Sequence, residues 1–299
     1  MKMNQTTFLG DKPIRRIGFG AMQLAGPNVF GPPRDPEAAR AVLRRALELG
    51  VDHIDTAQFY GPDVVNDLIR ETLHPYPDEL KLATKVGGQR DEAGGWLAAQ
   101  SPQELRDGVE ANLRSLQVER IDLVNLRRME QGGQSVPLPE QLGALEDMRH
   151  EGKIDLIGIS SVGIETVLQA IELVDIAGVQ NSYSIMNRDD DPILELCREH
   201  QIAFVPYFPL GSAFTGGPAA LAREPSIATV AERHGASASQ VALAWLLARY
   251  DRMLLIPGTA SVAHLEENLA AIDLTLDDDD LSTLETVESR GDPLAAHDA

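Results

Sequence analysis

One cysteine, Cys197, stands among 299 residues. A single thiol forms no internal disulfide and builds no thiolate metal cluster, so nothing argues for a secreted, cross-linked protein. Basic residues are scarce. Lys plus Arg total 26 against 46 Asp plus Glu, a formal charge of −20. That balance repels nucleic acid and anionic membranes as long-range partners, but a locally basic site can still hold an anionic small molecule. Long apolar runs are missing as well. The longest, 241–248, falls far short of the roughly 20 residues that span a bilayer. Residues 1–7 lack the apolar core of a signal peptide, so a soluble, cytoplasmic protein is expected. No Gly-Lys-Ser/Thr follows Gly132-Gly133 or Gly216-Gly217, which excludes a P-loop. Cys197 and His200 are too few for zinc. The acidic run Asp277-Asp278-Asp279-Asp280 reads as a dipole-favoured helix start rather than a calcium loop. No metal is expected.

What is present is a globular composition, 43% hydrophobic and 24% charged. The length fits two domains of about 150 residues, or one α/β barrel of about 250. Patterning decides between them. Short apolar runs alternate with segments whose apolar residues recur at spacings of three and four. Strands are expected at 17–20, 53–55, 80–86, 121–126, 154–159, 176–179, 202–207 and 253–257. The matching helices are expected at 35–49, 64–72, 102–116, 139–150, 164–173, 191–200, 227–233 with 238–249, and 262–271. Asp35 before Pro36 is a good N-cap, Gly50 a stop, and Ser101 with Glu104 a capping box. Eight βα units with no break in composition imply an α/β fold, a single (β/α)8 TIM barrel over 1–299. A hairpin at 6–15 with a Gly10-Asp11 turn is placed to plug the barrel floor. One more helix at 277–288 and a loose tail complete the chain. The connections 87–101, 127–137 and 208–225 are long and follow strands, so they belong on the C-terminal face, where barrel sites sit.

Asp55, Lys85, Arg127 and Gln180 fall at or just past strand ends, and Tyr60 lies in a turn five residues beyond Asp55. Each alone reads as a cap or a solvated rim residue. Together they converge on one rim if the barrel closes. A phenol has an ordinary pKa of about 10. A neighbouring ammonium lowers it, and a carboxylate holds that ammonium charged. The trio could therefore give a proton to a developing alkoxide.

The stretch Gly50-Val51-Asp52-His53-Ile54-Asp55-Thr56-Ala57-Gln58-Phe59-Tyr60-Gly61 resembles the signature of the aldo-keto reductase superfamily. Ala83-Thr84-Lys85, Val179-Gln180-Asn181, Ile256-Pro257-Gly258-Thr259 and Leu265-Glu266-Glu267-Asn268 resemble later motifs of that family in the same order. The resemblance implies a barrel that binds NADPH in extended form without a Rossmann domain. Consistently, Gly18-Phe19-Gly20-Ala21-Met22-Gln23 lacks the third glycine of a dinucleotide fingerprint. It implies Tyr60 as general acid, tuned by Asp55 and Lys85. Where the family usually carries a His, this chain has Arg127, which cannot shuttle protons but can donate hydrogen bonds. The alternative is that Arg127 turns away and pairs with an acid.

For the cofactor, the resemblance implies Gly20, Ala21, Met22, Asp55, Ser160, Ser161 and Gln180 at the nicotinamide end, with Tyr207 stacked on the ring. Ser161 stands where the family has Asn. Phe208, Pro209, Leu210, Gly211 and Ser212 would cover the pyrophosphate. Gly258, Thr259, Ser261, His264, Glu267 and Asn268 fall at the adenosine end. Cationic residues usual there are missing, so NADH is possible beside NADPH. Gly20 to Pro27, Phe30 to Asp35 and Val124 to Arg127 resemble a bacterial pyridoxal-reductase branch that shares the Arg. That implies reduction of a small aldehyde, pyridoxal, to pyridoxine. Phe30 and Trp96 could sandwich a flat ring, or simply anchor their loops. The rival readings are a broad aldehyde or ketone reductase and a slow NADP(H)-binding regulator or redox sensor, similar to the potassium-channel β subunits of the superfamily. A metal-dependent barrel hydrolase lacks its ligand clusters. Oligomeric state is not legible.

Overall fold

The computed structural model describes residues 5–128, 136–212 and 216–291. Gly132-Gly133, the middle of the 127–137 connection, part of the 208–225 connection and the tail beyond 291 lie outside the described residues. The chain runs β1 (Thr6–Leu9), β2 (Lys12–Arg15), β3 (Phe19–Gly20), α1 (Pro36–Glu48), β4 (His53–Asp55), α2 (Val64–Leu73), β5 (Lys81–Val86), β6 (Gly88–Arg90), β7 (Trp96–Ala98), α3 (Pro102–Leu116), β8 (Ile121–Arg127), α4 (Leu138–His150), β9 (Ile154–Ser160), α5 (Ile164–Leu173), β10 (Ile176–Gln180), α6 (Asp191–Glu199), β11 (Ala203–Phe204), α7 (Gly217–Leu221), α8 (Pro225–His234), α9 (Ala238–Arg249), α10 (Val262–Ala270) and α11 (Asp278–Glu285). Among the described residues no helix is long and apolar enough to cross a membrane.

Seven strands form one parallel sheet in the order β11-β10-β9-β8-β5-β4-β3. The expected eighth strand does not form a regular ladder. Instead Met253 bridges Phe204 and Leu255 bridges Ile17, both in parallel sense. The Leu254 amide donates to the Phe204 carbonyl at 2.9 Å, and the Gly18 amide to the Leu255 carbonyl at 2.8 Å. Those bonds join the two ends of the sheet and complete the (β/α)8 barrel. At this seam Gly20 meets the other side at close range. A Cβ there would lie 2.4 Å from the Ile256 carbonyl oxygen, so only glycine lets the backbones approach.

Successive side chains point to opposite faces of a strand. Val124, Ile157, Ile159 and Phe204 face outward and pack under the helices. Leu123, Ala177, Ala203, Val205, Leu254 and Ile256 fill the barrel, and Leu9 and Ile14 of the β1–β2 hairpin join that same cluster. The hairpin therefore plugs the floor, as its position before the first unit suggests. Helix starts follow their caps. Asp35 Oδ1 accepts from the Ala38 amide at 3.0 Å. The Ser101 hydroxyl and Glu104 carboxylate form a reciprocal box at the start of α3.

Besides the eighth strand, the strand expected over 202–207 is regular only at Ala203–Phe204, and two other elements depart from expectation. The 87–101 connection folds into the antiparallel β6–β7 hairpin instead of an irregular loop. The last helix ends at Glu285, three residues before the end its pattern suggests.

Candidate active site

At the C-terminal ends of β4 and β5, the Lys85 ammonium donates to Asp55 Oδ1 at 2.5 Å and to the Thr56 carbonyl at 3.1 Å. Gln180 Nε2 donates to the other Asp55 oxygen at 2.9 Å. Tyr60 is buried beside them, with Lys85 Nζ 5.1 Å from its ring centre. Burial pushes the Lys85 amine down, but Asp55 and then Tyr60 outweigh it and hold the amine above its ordinary value. The ammonium is therefore charged across the neutral range.

Thr56 is itself held from behind. Its hydroxyl donates to Asn66 Oδ1 at 2.8 Å, and Asn66 Nδ2 donates to Asn112 Oδ1 at 2.9 Å. The Thr84 hydroxyl donates to the same Asn112 oxygen at 2.6 Å. This fully buried network ties the residues beside Asp55 and Lys85 to α2 and α3. Sequence reasoning passed over both asparagines. The available signal was Asn112 lying on the apolar stripe of α3, seven residues after Leu105 and three after Val109.

Arg127 lies abreast of Ser160, and Ser160 of Gln180, across β8, β9 and β10. Its backbone is pinned: Gln100 Nε2 donates to the Arg127 carbonyl at 2.9 Å and to the Gly87 carbonyl at 2.5 Å. Gly87, at φ +99°, comes so close that a Cβ there would lie 2.3 Å from the Arg127 carbonyl. The guanidinium rests 5.6 Å from the Trp96 ring centre. It pairs with no carboxylate among the described residues, contrary to the alternative that it turns away to an acid, and its buried Nε has no partner.

Phe30 and Trp96 share the rim through Arg90, which sequence reasoning did not single out. Its guanidinium lies 4.1 Å from the Trp96 ring and 5.4 Å from the Phe30 ring. It donates to the carbonyls of Asn28, Val29 and Gly94. Trp96 meets the edge of Phe59, which in turn meets Tyr60. Phe30 also bridges Gly61, the residue after Tyr60. Both aromatics thus anchor their loops, and they do so against the turn that carries the phenol.

Other expected cofactor residues form a second set along the rim. Ser160 Oγ and Gln180 Oε1 are buried without partners. The Ser161 hydroxyl lies 3.3 Å from that of half-buried Tyr207. Phe208 and Gly211 form a turn, with the Gly211 amide donating to the Phe208 carbonyl at 2.8 Å. Pro209 and Ser212 are buried, and Leu210 is half-buried. Ala21 is fully buried and Met22 half-buried after Gly20. Gly258 sits against Gly20. Thr259 Oγ1 accepts from the Ser261 amide at 3.0 Å, and Ser261 Oγ accepts from the His264 amide at 3.4 Å, capping α10. Those hydroxyls serve the helix as acceptors and keep their O–H for a ligand. His264 is exposed, Glu267 half-buried and Asn268 buried. Cys197 is remote from this chemistry: burial, with Asp190, pushes its thiol up to about 12.

The residues expected to gather from separate strands do gather, and known proteins share the framework. The aldo/keto reductase family model matches residues 16–289. Pyridoxine 4-dehydrogenase of Escherichia coli (strain K12) is 47% identical over 289 residues, 95% of this chain and 99% of its own. An aldo-keto reductase from Bacillus halodurans in its holo form superposes with a TM-score of 0.79 at 26% identity, covering 99% of this chain and 98% of its own. One from Klebsiella pneumoniae in complex with NADPH gives a TM-score of 0.78 at 25% identity, covering 95% and 94%. By its sequence over nearly its whole length and by its barrel, this chain belongs to the aldo/keto reductase family.

Proposed function

We propose that this chain reduces an aldehyde to an alcohol with NADPH, and that pyridoxal, giving pyridoxine, is its preferred substrate. The observation that carries the reading is the buried Lys85 ammonium, fixed by Asp55 at 2.5 Å beside the Tyr60 phenol. A fixed cation stabilises the negative charge left behind as the Tyr60 proton passes to an oxygen that is itself gaining charge. Gln180 and Thr56 hold the pair in position, so little reorganisation is needed at the moment of transfer. Arg127 stays protonated and cannot relay protons, which leaves Tyr60 as the proton donor.

NADPH, when bound, supplies the hydride. Its fit rests on the orphaned atoms. A buried polar atom without a partner costs about 1–3 kcal/mol, and Ser160 Oγ and Gln180 Oε1 are two such atoms side by side. A carboxamide would satisfy both. Tyr207 would stack on the ring, and the 208–212 backbone would meet the pyrophosphate. The hydroxyls of Thr259 and Ser261 with the N-terminus of α10 would hold the ribose phosphate. No Lys or Arg lies in 258–268, so NADH is expected to serve as a second cofactor.

Pyridoxal is favoured because a relative 47% identical is a pyridoxine 4-dehydrogenase. The test is NADPH oxidation across pyridoxal, aromatic and aliphatic aldehydes, repeated with NADH. Tyr60→Phe should abolish reduction while binding NADPH as the parent does. Turnover retained in that variant removes Tyr60 from the role.

A further inference from the structure

Among the described residues, Lys85, Arg90 and Arg127 are cations near the mouth of the site, and the first two are committed. Lys85 is spent on Asp55 and the Thr56 carbonyl. Arg90 is spent on three backbone carbonyls. Among the described residues Arg127 has neither a carboxylate nor a carbonyl, and its Nε is buried and unpaired. Its backbone is held through Gln100 and the close approach of Gly87. Its planar face is set by Trp96. A pinned, permanently charged donor left without a partner in an aromatic surround is preorganised for an anionic oxygen.

That oxygen need not be the reacting one. Tyr60 with Lys85 already serves the carbonyl oxygen, and a neutral aldehyde leaves the charge of Arg127 uncompensated. Lys85, 5.1 Å from the Tyr60 ring centre, stands in register with Asn125 of neighbouring β8, two residues before Arg127. Trp96 beside Arg127 meets Phe59, which meets Tyr60. Arg127 and Tyr60 therefore border the same part of the rim, and an oxygen met by Arg127 lies near one on Tyr60. On an aromatic ring an ortho substituent holds its oxygen nearest the carbonyl oxygen, whereas a para oxygen points away. We propose that Arg127 is the specificity-determining residue of this site and reads an ionised oxygen ortho to the carbonyl, so that the preferred substrates are ortho-hydroxyaryl aldehydes. The inference rests on the reading of the site as an aldehyde reductase. It deepens that reading by naming the second atom recognised.

The experiment compares salicylaldehyde with 2-methoxybenzaldehyde, its neutral isostere, and with 4-hydroxybenzaldehyde. In the parent protein kcat/KM should favour salicylaldehyde over the methoxy compound by about 10- to 100-fold, the worth of one charge-assisted hydrogen bond. In Arg127→Met that ratio should fall to about one, and Arg127→Lys should restore part of it. A ratio that survives in Arg127→Met, whether or not all rates fall together, overturns the proposal, because Arg127 then serves the carbonyl or nothing. A second measurement does not depend on turnover. With NADP+ bound, salicylaldehyde should show its phenolate absorption band at neutral pH in the parent and lose it in Arg127→Met. If the parent reduces none of the three but shows the band, the reductase reading fails alone. If it reduces them without the band or the preference, this inference fails alone.

Discussion

Asp55→Asn tests the buried pair directly. Asparagine keeps the shape, but its one oxygen can accept from Lys85 or from Gln180 and not from both, and it removes the negative charge 2.5 Å from the Lys85 ammonium. The Lys85 and Asp55 side chains are 4% and 6% exposed, so water cannot replace that charge. Removing one partner of a buried pair costs about 3–5 kcal/mol. The hydrogen bond that survives places the variant near the lower end, at about 3 kcal/mol. The variant recovers part of the loss by shedding a proton, and this gives the test a sign. In the parent, Lys85 is held above its ordinary value of 10.5. Its contribution is therefore fully present below about pH 10.5 and is lost as pH rises through the folded value. With Asp55 gone, burial prevails and the folded value drops below the unfolded one. Between the two the unfolded chain carries a proton that the folded chain lacks. Stability then rises with pH, by at most about 1.4 kcal/mol per unit. Urea midpoints from about pH 7 to 10, followed by the fluorescence of buried Trp245, should therefore slope upward in Asp55→Asn alone. Parallel curves for the two proteins, offset or not, would refute the charged-pair account.

Two further substitutions test the supports. Asn112→Ala leaves Asn66 and Thr84 without their shared partner. It should cost about 2–3 kcal/mol in urea unfolding and lower kcat more than it raises KM, because Thr56 loosens beside Lys85. A variant as stable as its parent would show that the network is slack. Ile14→Ala empties part of the barrel floor, where Ile14 packs with Leu123, Val205 and Ile256. A loss of about 2–4 kcal/mol is expected. A loss below about 1 kcal/mol would mean that the hairpin only covers the barrel and does not fill it.

Much of the fold is legible along the chain, because helix and strand are decided over a few neighbouring residues. Asp35, Ser101 and the alternating apolar runs mark their elements within a residue or two. The seam is not legible. Ile17, Ala203-Phe204 and Met253 to Leu255 form only fragments of ladder, since their pairing depends on where the sheet closes and on Gly20 admitting a second backbone. The β6–β7 hairpin is invisible for a similar reason. Neither Gly88–Arg90 nor Trp96–Ala98 alternates apolar with polar, and Arg90 holds the turn by bonding across to another loop.

The site divides in the same way. Residue type and spacing bring Asp55, Tyr60, Lys85 and Gln180 to one rim as candidates, since a strand delivers its last side chain to the rim wherever it lies in the barrel. Only the resemblance of the motifs to a family implies their roles. Which charges are spent and which are free is a matter of contacts between residues far apart in the chain. Only the closed barrel commits Lys85 to Asp55 thirty residues away, ties Arg90 to Asn28 and Val29 and sets Arg127 against Trp96 with no carboxylate partner among the described residues.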